Sequence, residues 1–531
     1  MRTLSRNLVA VAILISAAVL WTGNVFAAGK AEHVVVVVMD GLRPDFVTEK
    51  YMPTLHKLAG EGVLFKNHHA VYVSSTEANG AALATGCYPS RDTILANREH
   101  RPALDPLKRI EIVSLSLIRK ADALTGGRYI PIPTVAEILQ RAGHKTAIAG
   151  AKPVVLLHDR AERPATGNCC VNLYAGRTLP ESALNPITAA QSAFPPRALP
   201  NVAQDEWTTR ALLGNLWKQG VPKFSLLWLS EPDATQHADG PGAGRALAAL
   251  KSSDKSLGLV LQELERRGLR NKTDIFIVSD HGLSTISRRV DVAEALKNAG
   301  FAAAREFKQP PAADEIMVIG SGGSALLYVT GHDPNVIGKV VEFLQQQDFT
   351  GAIFTQKPAK GTFALEQIRA KTPDAPDIIV SLRWTADKSA AGVPGMLLSD
   401  GSPAGTGGGG QHGSLSAFDM HNTLVAAGPD FRHGLVDGLP SGNVDVAPTI
   451  LWIAGVEPPQ PMDGAPSAMD GRILAEAMVG IAAKLTPIQA RTLETSNELP
   501  KGFWRQYLRV TEFGGAIYLD EANGTFVPKA R

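Results

Sequence analysis

The chain has 531 residues, 44% of them apolar and 20% charged, with 50 Gly and 35 Pro; this is the composition of a globular protein with a sizeable core, not of a disordered, collagen-like or multi-span membrane chain. Lys plus Arg number 53 against 51 Asp plus Glu, so no basic field exists to hold a nucleic acid through its phosphates, and an anionic substrate must be bound locally. At about 100 to 200 residues per domain, the length admits one large domain with insertions or a few small ones.

The N-terminal stretch carries Arg2 and Arg6, an apolar run from Leu8 to Leu20, then small residues at Val25 and Ala27. That is the layout of a cleaved secretory signal, residues 1–27, and it predicts an exported protein, periplasmic or secreted. Retention as an anchor is the alternative, although Leu8–Trp21 is short of the ~20 apolar residues that span a bilayer. No later run is long and apolar enough to cross a membrane. Cys87, Cys169 and Cys170 are too few for a disulfide framework and lack zinc-finger spacing; the adjacent pair reads as a loop.

From residue 33 onward, apolar strands alternate with amphipathic helices. HVVVVVM (33–39) is a β-branched run suited to a parallel strand buried on both faces. TVAEILQRAG (134–143) predicts a helix and KTAIAG (145–150) a strand; EWTTRALLGNLWKQG (206–220) predicts a helix and KFSLLWLS (223–230) a strand. The long helical pattern 244–268 leads to the strand TDIFIVS (273–279). This alternation predicts an α/β fold, a largely parallel central sheet with helices on both faces. Between 300 and 410 the pattern loosens into EIMVIG, SALLYV and DIIVSL with a helix near 335–347, read as an inserted smaller α+β subdomain. The core pattern resumes at NTLVAAG (422–428) and VAPTILWIAG (446–455), so that 28–480 forms one catalytic unit, and 481–531 reads as a C-terminal extension packed on the body.

Three of these strands end alike: VVVVVMD at Asp40, FSLLWLSEPD at Asp233, and DIFIVSDH at Asp280 with His281. Ligand sites of open parallel sheets form outside the carboxyl ends of the strands, so these carboxylates are expected on one edge. His237 follows Asp233 by four residues, one turn of helix, and His412 stands in GGGGQHGS, where glycines permit close backbone approach. Taken singly each is a turn or loop residue. Together they form a carboxylate and imidazole set that suits zinc better than manganese or iron, and six ligands are right for two ions sharing a nucleophile. In YVSSTEANGAALATGCYP, Ser74, Ser75 and Thr76 precede an Ala-rich helical run whose start favours an anion; an N-cap is the alternative role there.

These motifs, VVVMDGLRPDF, TEANGAALATGCYPSRDTILAN, SEPDATQHADGP, SDHGLS, GQHGS and NVDVAPTILWIAG with MDGRIL, resemble those of the alkaline phosphatase superfamily, in particular its nucleotide pyrophosphatase/phosphodiesterase branch. The resemblance implies one zinc held by Asp233, His237 and His412, the other by Asp40, Asp280 and His281, with Thr76 as nucleophile and a further contact to the metals. It also implies that Asn97, twenty-one residues after Thr76, hydrogen-bonds a phosphoryl oxygen. Cys87–Arg91 spells CYPSR, the string that marks sulfatases, but Cys87 follows Thr85-Gly86 whereas the sulfatase cysteine precedes it; the register puts Thr76 in the nucleophile position. The expected reaction is hydrolysis of a small-molecule phosphoester, most simply a diester, through a phospho-threonine. The alternatives are a phosphomonoesterase or phosphonoacetate-hydrolase-like enzyme, in which Lys152 grips a dianionic phosphate, and a non-catalytic zinc-binding protein. Lys152 lacks the second cation of a Lys-x-Arg clamp, since position 154 is Val, and a solvated surface lysine is its other reading.

Overall fold

A computed structural model describes residues 29–162, 170–458, 460, 468–481 and 486–529; the N-terminal signal and Cys169 lie outside the described residues. The central sheet has nine strands: β1 (His33–Met39), β2 (Val63–His69), β3 (Thr146–Gly150), β4 (Val171–Tyr174), β5 (Arg177–Leu179), β6 (Phe224–Leu229), β7 (Thr273–Val278), β8 (Leu424–Ala427) and β9 (Leu435–Gly442). Their order across the sheet is β9-β2-β8-β7-β1-β6-β3-β4-β5. The stretch β7-β1-β6-β3-β4 is parallel throughout, while β8 and the edge strand β5 run antiparallel to their neighbours. β1 lies at the centre with Val34–Met39 buried, which is why its sequence is apolar without alternation. Helices cover both faces, giving two apolar cores, one on each side of β1: Val34, Val36 and Val38 belong to one, Val35, Val37 and Met39 to the other.

The predicted helix at 206–220 forms as Val202–Arg210 followed by a π-helical turn, Ala211–Leu216. Thr134 caps Val135–Arg141 in a capping box with Glu137. Residues 284–411 build two further sheets: six strands within 303–382, and five in which Ser284–Val290 pairs with Pro394–Asp400 and with two short segments ending at Gln411, while Trp384–Lys388 pairs with the far side of Pro394–Asp400. The C-terminal segment is a three-stranded antiparallel sheet, Gln489–Leu499, Gly502–Phe513 and Ala516–Pro528. It is tied to the six-stranded sheet through Gln506, whose side chain bonds both the N–H and the C=O of Ile353 at 2.7 and 3.0 Å. No helix among the described residues is long and apolar enough to cross a membrane.

The helix Thr76–Thr85 is buried along its whole length, which accounts for its alanines and for Gly80. A Cβ on Gly80 would stand 2.5 Å from Val154 Cγ2, in the 3₁₀ turn Pro153–Leu157 that follows β3. Gly80→Ala gains about 1 kcal/mol of helix propensity but incurs an overpacking cost of about 1–3 kcal/mol. The variant is therefore expected to unfold at lower denaturant than the parent, which equilibrium unfolding in urea measures.

Candidate active site

Four adjacent parallel strands, β7-β1-β6-β3, deliver Asp280, Asp40, Asp233 and Lys152 just beyond their carboxyl ends. The turn after β1 knits them together. Asp40 carbonyl accepts the Asp233 N–H at 3.0 Å, Gly41 N–H donates to Asp280 Oδ1 at 3.0 Å, and Gly41 carbonyl accepts from Gln236 Nε2 at 3.0 Å. Gly41 has φ +68°, and a Cβ there would sit 3.0 Å from that of Asp233, so glycine is required. Asp233 and His237 share the helix Asp233–Asp239, with His237 Nε2 3.0 Å from Asp233 Oδ1. The glycine run serves the same helix: a Cβ on Gly409 would run into the His237 carbonyl, and Gly410 carbonyl accepts from His237 Nδ1 at 3.0 Å.

All three histidines are held alike. His237 Nδ1 donates to Gly410 carbonyl, His281 Nδ1 to Gly282 carbonyl at 2.8 Å and His412 Nδ1 to Ser74 carbonyl at 2.8 Å. A carbonyl only accepts, so each Nδ1 carries a proton and the other ring nitrogen, Nε2, is turned inward; a ring without a proton there presents a lone pair, as a metal ligand must. Those nitrogens face carboxylate oxygens: His281 Nε2 is 3.2 Å from Asp280 Oδ2 and 3.7 Å from Asp40 Oδ1, and His412 Nε2 is 3.8 Å from Asp233 Oδ1. Asp40 Oδ1, Asp233 Oδ1 and Asp280 Oδ2 are buried without a hydrogen-bond donor. Buried carboxylate oxygens that face imidazole nitrogens with no donor between them call for a cation there, so the donor set fits a metal centre. Asp40, Asp280 and His281 form one cluster with ligand atoms within 4.8 Å of one another, and Asp233, His281 and His412 a second. His237 joins the second through Asp233 Oδ1 rather than as one of its three closest members.

The charges divide unevenly. Burial and then the Asp280 charge push the Asp40 carboxyl well above the usual carboxylate range, against the opposing Lys152. Burial also acts to raise Asp233, but the charges of His237 and Lys152 outweigh it and hold Asp233 well below that range. Burial, with His281 and His237 alongside, keeps His412 neutral. Trp228 Nε1 donates to Asp40 Oδ2 at 2.8 Å, fixing that carboxylate from β6.

Thr76 is the first residue of its helix, with Ser75 at the N-cap, so its hydroxyl is not the capping group. It is 2% exposed, and its Oγ1 lies 3.3 Å from His281 Nε2 and 3.5 Å from Lys152 Nζ. Asn97 Oδ1 accepts the N–H of Glu77 at 3.1 Å, which places Asn97 beside the helix start. Lys152 is not a solvated surface lysine: Nζ bridges Asp40 Oδ2 at 2.8 Å and Asp233 Oδ2 at 3.1 Å. Cys87 lies past the far end of the helix, fully buried with a free thiol that burial pushes far up.

Two asparagines within the quoted motifs, with no role inferred from the sequence, lock the Thr76–Thr85 helix to the Asp280 loop. Asn79 Nδ2 donates to Ser75 carbonyl at 3.0 Å, and Asn443 Nδ2 bonds both Asn79 Oδ1 at 2.9 Å and Asp280 carbonyl at 2.7 Å. An Asn in an Ala-rich helix was the available signal, since a buried amide needs partners.

Residues 34–386 match the profile of the family described as type I phosphodiesterase / nucleotide pyrophosphatase; His412 lies beyond the matched span. The chain is 25% identical over 256 residues, 47% of its length, to venom phosphodiesterase 2 of Crotalus adamanteus, and 24% identical over 262 residues to ectonucleotide pyrophosphatase/phosphodiesterase family member 3 of Mus musculus. It spans about a quarter of the length of these curated relatives, 26% and 25%. In fold it is similar to murine ectonucleotide pyrophosphatase / phosphodiesterase 5, solved as an inactive variant in complex with AMP, with a TM-score of 0.55 at 18% identity over 81% of this chain and 96% of that one.

Opening either cluster should cost metal. Asp280→Ala and His412→Ala are each expected to lower the metal bound per chain, measured by elemental analysis after dialysis, and metal content equal to the parent in both variants would refute the ligand assignment.

Proposed function

Since the chain belongs to the type I phosphodiesterase / nucleotide pyrophosphatase family, we propose that it hydrolyses small nucleotide-like phosphodiesters through a phospho-threonine on Thr76, with two zinc ions as cofactors. The observation that carries this reading is the Thr76 hydroxyl at the start of a buried helix, within 3.5 Å of both His281 and Lys152. Asp233, His237 and His412 would hold one ion and Asp40, Asp280 and His281 the other; bound there, the pair supplies Lewis-acid polarisation of the phosphoryl oxygens and lowers the pKa of a bound hydroxyl.

The protein's own groups do the rest. Thr76 loses its hydroxyl proton as Oγ1 attacks phosphorus in line with the leaving oxygen; the P–Oγ1 bond forms as the bond to the leaving group breaks, and the leaving oxygen takes up a proton. Asn97, pinned through Oδ1 to the Glu77 amide, has its Nδ2 hydrogens to donate to a non-bridging oxygen. The free N–H groups of the first helical turn add neutral donors for the same charge. Water then splits P–Oγ1, returning the proton to Thr76 and releasing a phosphomonoester. The apolar N-terminal run supports export, and the relatives' names as phosphodiesterases support a diester.

Lys152 favours a second reading. A monoester carries a dianionic phosphoryl group and gains more from an ammonium beside the nucleophile than a monoanionic diester does. That ammonium is already engaged by two carboxylates, and its charge goes first to them.

Thr76→Ala is expected to lower kcat by about 10³-fold or more with metal content unchanged, whereas Cys87→Ser leaves kcat close to that of the parent; the reverse order would make Cys87 the nucleophile. Specificity separates the two readings. The unaltered protein should show a higher kcat/KM for bis-(p-nitrophenyl) phosphate than for p-nitrophenyl phosphate, and a monoester preference abolished by Lys152→Ala would establish the second reading instead.

A further inference from the structure

A second cluster of metal-ligand side chains lies away from the active site, where the C-terminal sheet meets the edge of the central one. His69 ends β2 and is 1% exposed; His421 follows the short helix Ala417–Met420; Asp520 is on the last strand. His69 and His421 face each other across an isolated antiparallel bridge, their ring centroids 4.4 Å apart. His69 Nε2 is 3.1 Å from Asp520 Oδ1, and one ligand atom from each of the three residues lies within 4.8 Å of the other two.

The local chemistry repeats that of the active site. His69 Nδ1 donates to Ser441 carbonyl at 2.9 Å, which turns its Nε2 towards the carboxylate. Among the described residues, neither ring nitrogen of His421 has a hydrogen-bond partner. Asp520 Oδ2 accepts from the Thr511 hydroxyl at 2.9 Å, which orients the carboxylate. An open cavity of about 450 Å³, lined by His421, Asp520 and Thr511, leaves room for water. The arginines at its rim, Arg491 and Arg509, are paired with Glu512 and Glu521.

We propose that His69, His421 and Asp520 bind a zinc ion that staples the C-terminal sheet to β2, with water from the cavity completing the coordination. Two imidazoles, one carboxylate and an open position form a set that zinc accepts. Ligand atoms about 2.0–2.1 Å from a tetrahedral zinc stand about 3.3 Å apart; the His69–Asp520 distance already meets this, and the half-buried His421 closes the remainder by side-chain rotation. The three ligands come from segments about a hundred to 450 residues apart in sequence, so the ion ties parts of the chain that no helix or turn connects.

The test compares zinc per chain, by elemental analysis of dialysed protein, in the unaltered chain, His421→Ala and the near-isosteric Asp520→Asn, with circular dichroism to establish that each is folded. The expected result is one zinc per chain fewer in both variants, with turnover of bis-(p-nitrophenyl) phosphate per folded chain unchanged. Equal zinc in all three proteins would show a His–Asp hydrogen-bonded pair only and overturn the proposal. Zinc and turnover falling together would place the lost ion in the active site and overturn it equally. Should His421→Ala fail to fold, the zinc content of Asp520→Asn alone decides.

Discussion

Three buried carboxylates gathered with three imidazoles leave oxygens that their neighbours do not satisfy, and the architecture follows from that constraint. Each carboxylate keeps one oxygen without a donor, and the only ammonium among them, on Lys152, spans just two. Removing one charge from water costs several kcal/mol unless a counter-charge repays it. The fold therefore builds a cation site into its centre, at the ends of its most deeply buried strands.

Adjacency in the sheet makes this possible. β7, β1, β6 and β3 are consecutive in space but not in sequence, so residues up to 240 positions apart meet without any long excursion of the chain. The carbonyls that orient the histidines come from elsewhere: Gly410 and Ser74 lie on separate segments, and Gly282 follows His281 directly. The cluster is fixed by backbone that is itself immobilised in the core. This division separates Asp40 from Asp233, since both contact Lys152 but only Asp233 also has His237 against it.

The strand ends were legible in the sequence because an Asp closing a long β-branched run has few structural reasons to be there, and because the helical period joins His237 to Asp233. Thr76 was legible as a helix start, but not that Ser75 occupies the N-cap position and leaves Thr76 as the first helical residue. Lys152 was ambiguous because its burial depends on β3 lying beside β6, which no local spacing encodes. Asn79, Asn443 and the strand VLFKNHH, next to the edge of the sheet, escaped notice for a related reason. Their polar side chains look solvated until the helix is known to be buried all round and β2 to be roofed by the C-terminal sheet.

Beneath that roof, β2 also reaches the Asp280 loop. His68, next to His69 on β2, meets Asn443 Oδ1 through Nε2 at 2.9 Å, and Asn443 in turn holds both the Asp280 carbonyl and Asn79 of the Thr76–Thr85 helix. Two of these hydrogen bonds join β2 to the Asp280 loop through a buried amide whose polar atoms are both partnered. The C-terminal sheet meets β2 at His69 and Asp520, whereas the Asp280 loop is held from within the core by Asn443 and Gly41, so the junction of the two sheets and the candidate metal ligands rest on separate contacts. The C-terminal sheet limits the movement of a strand whose outer neighbour, β9, is the last in the sheet.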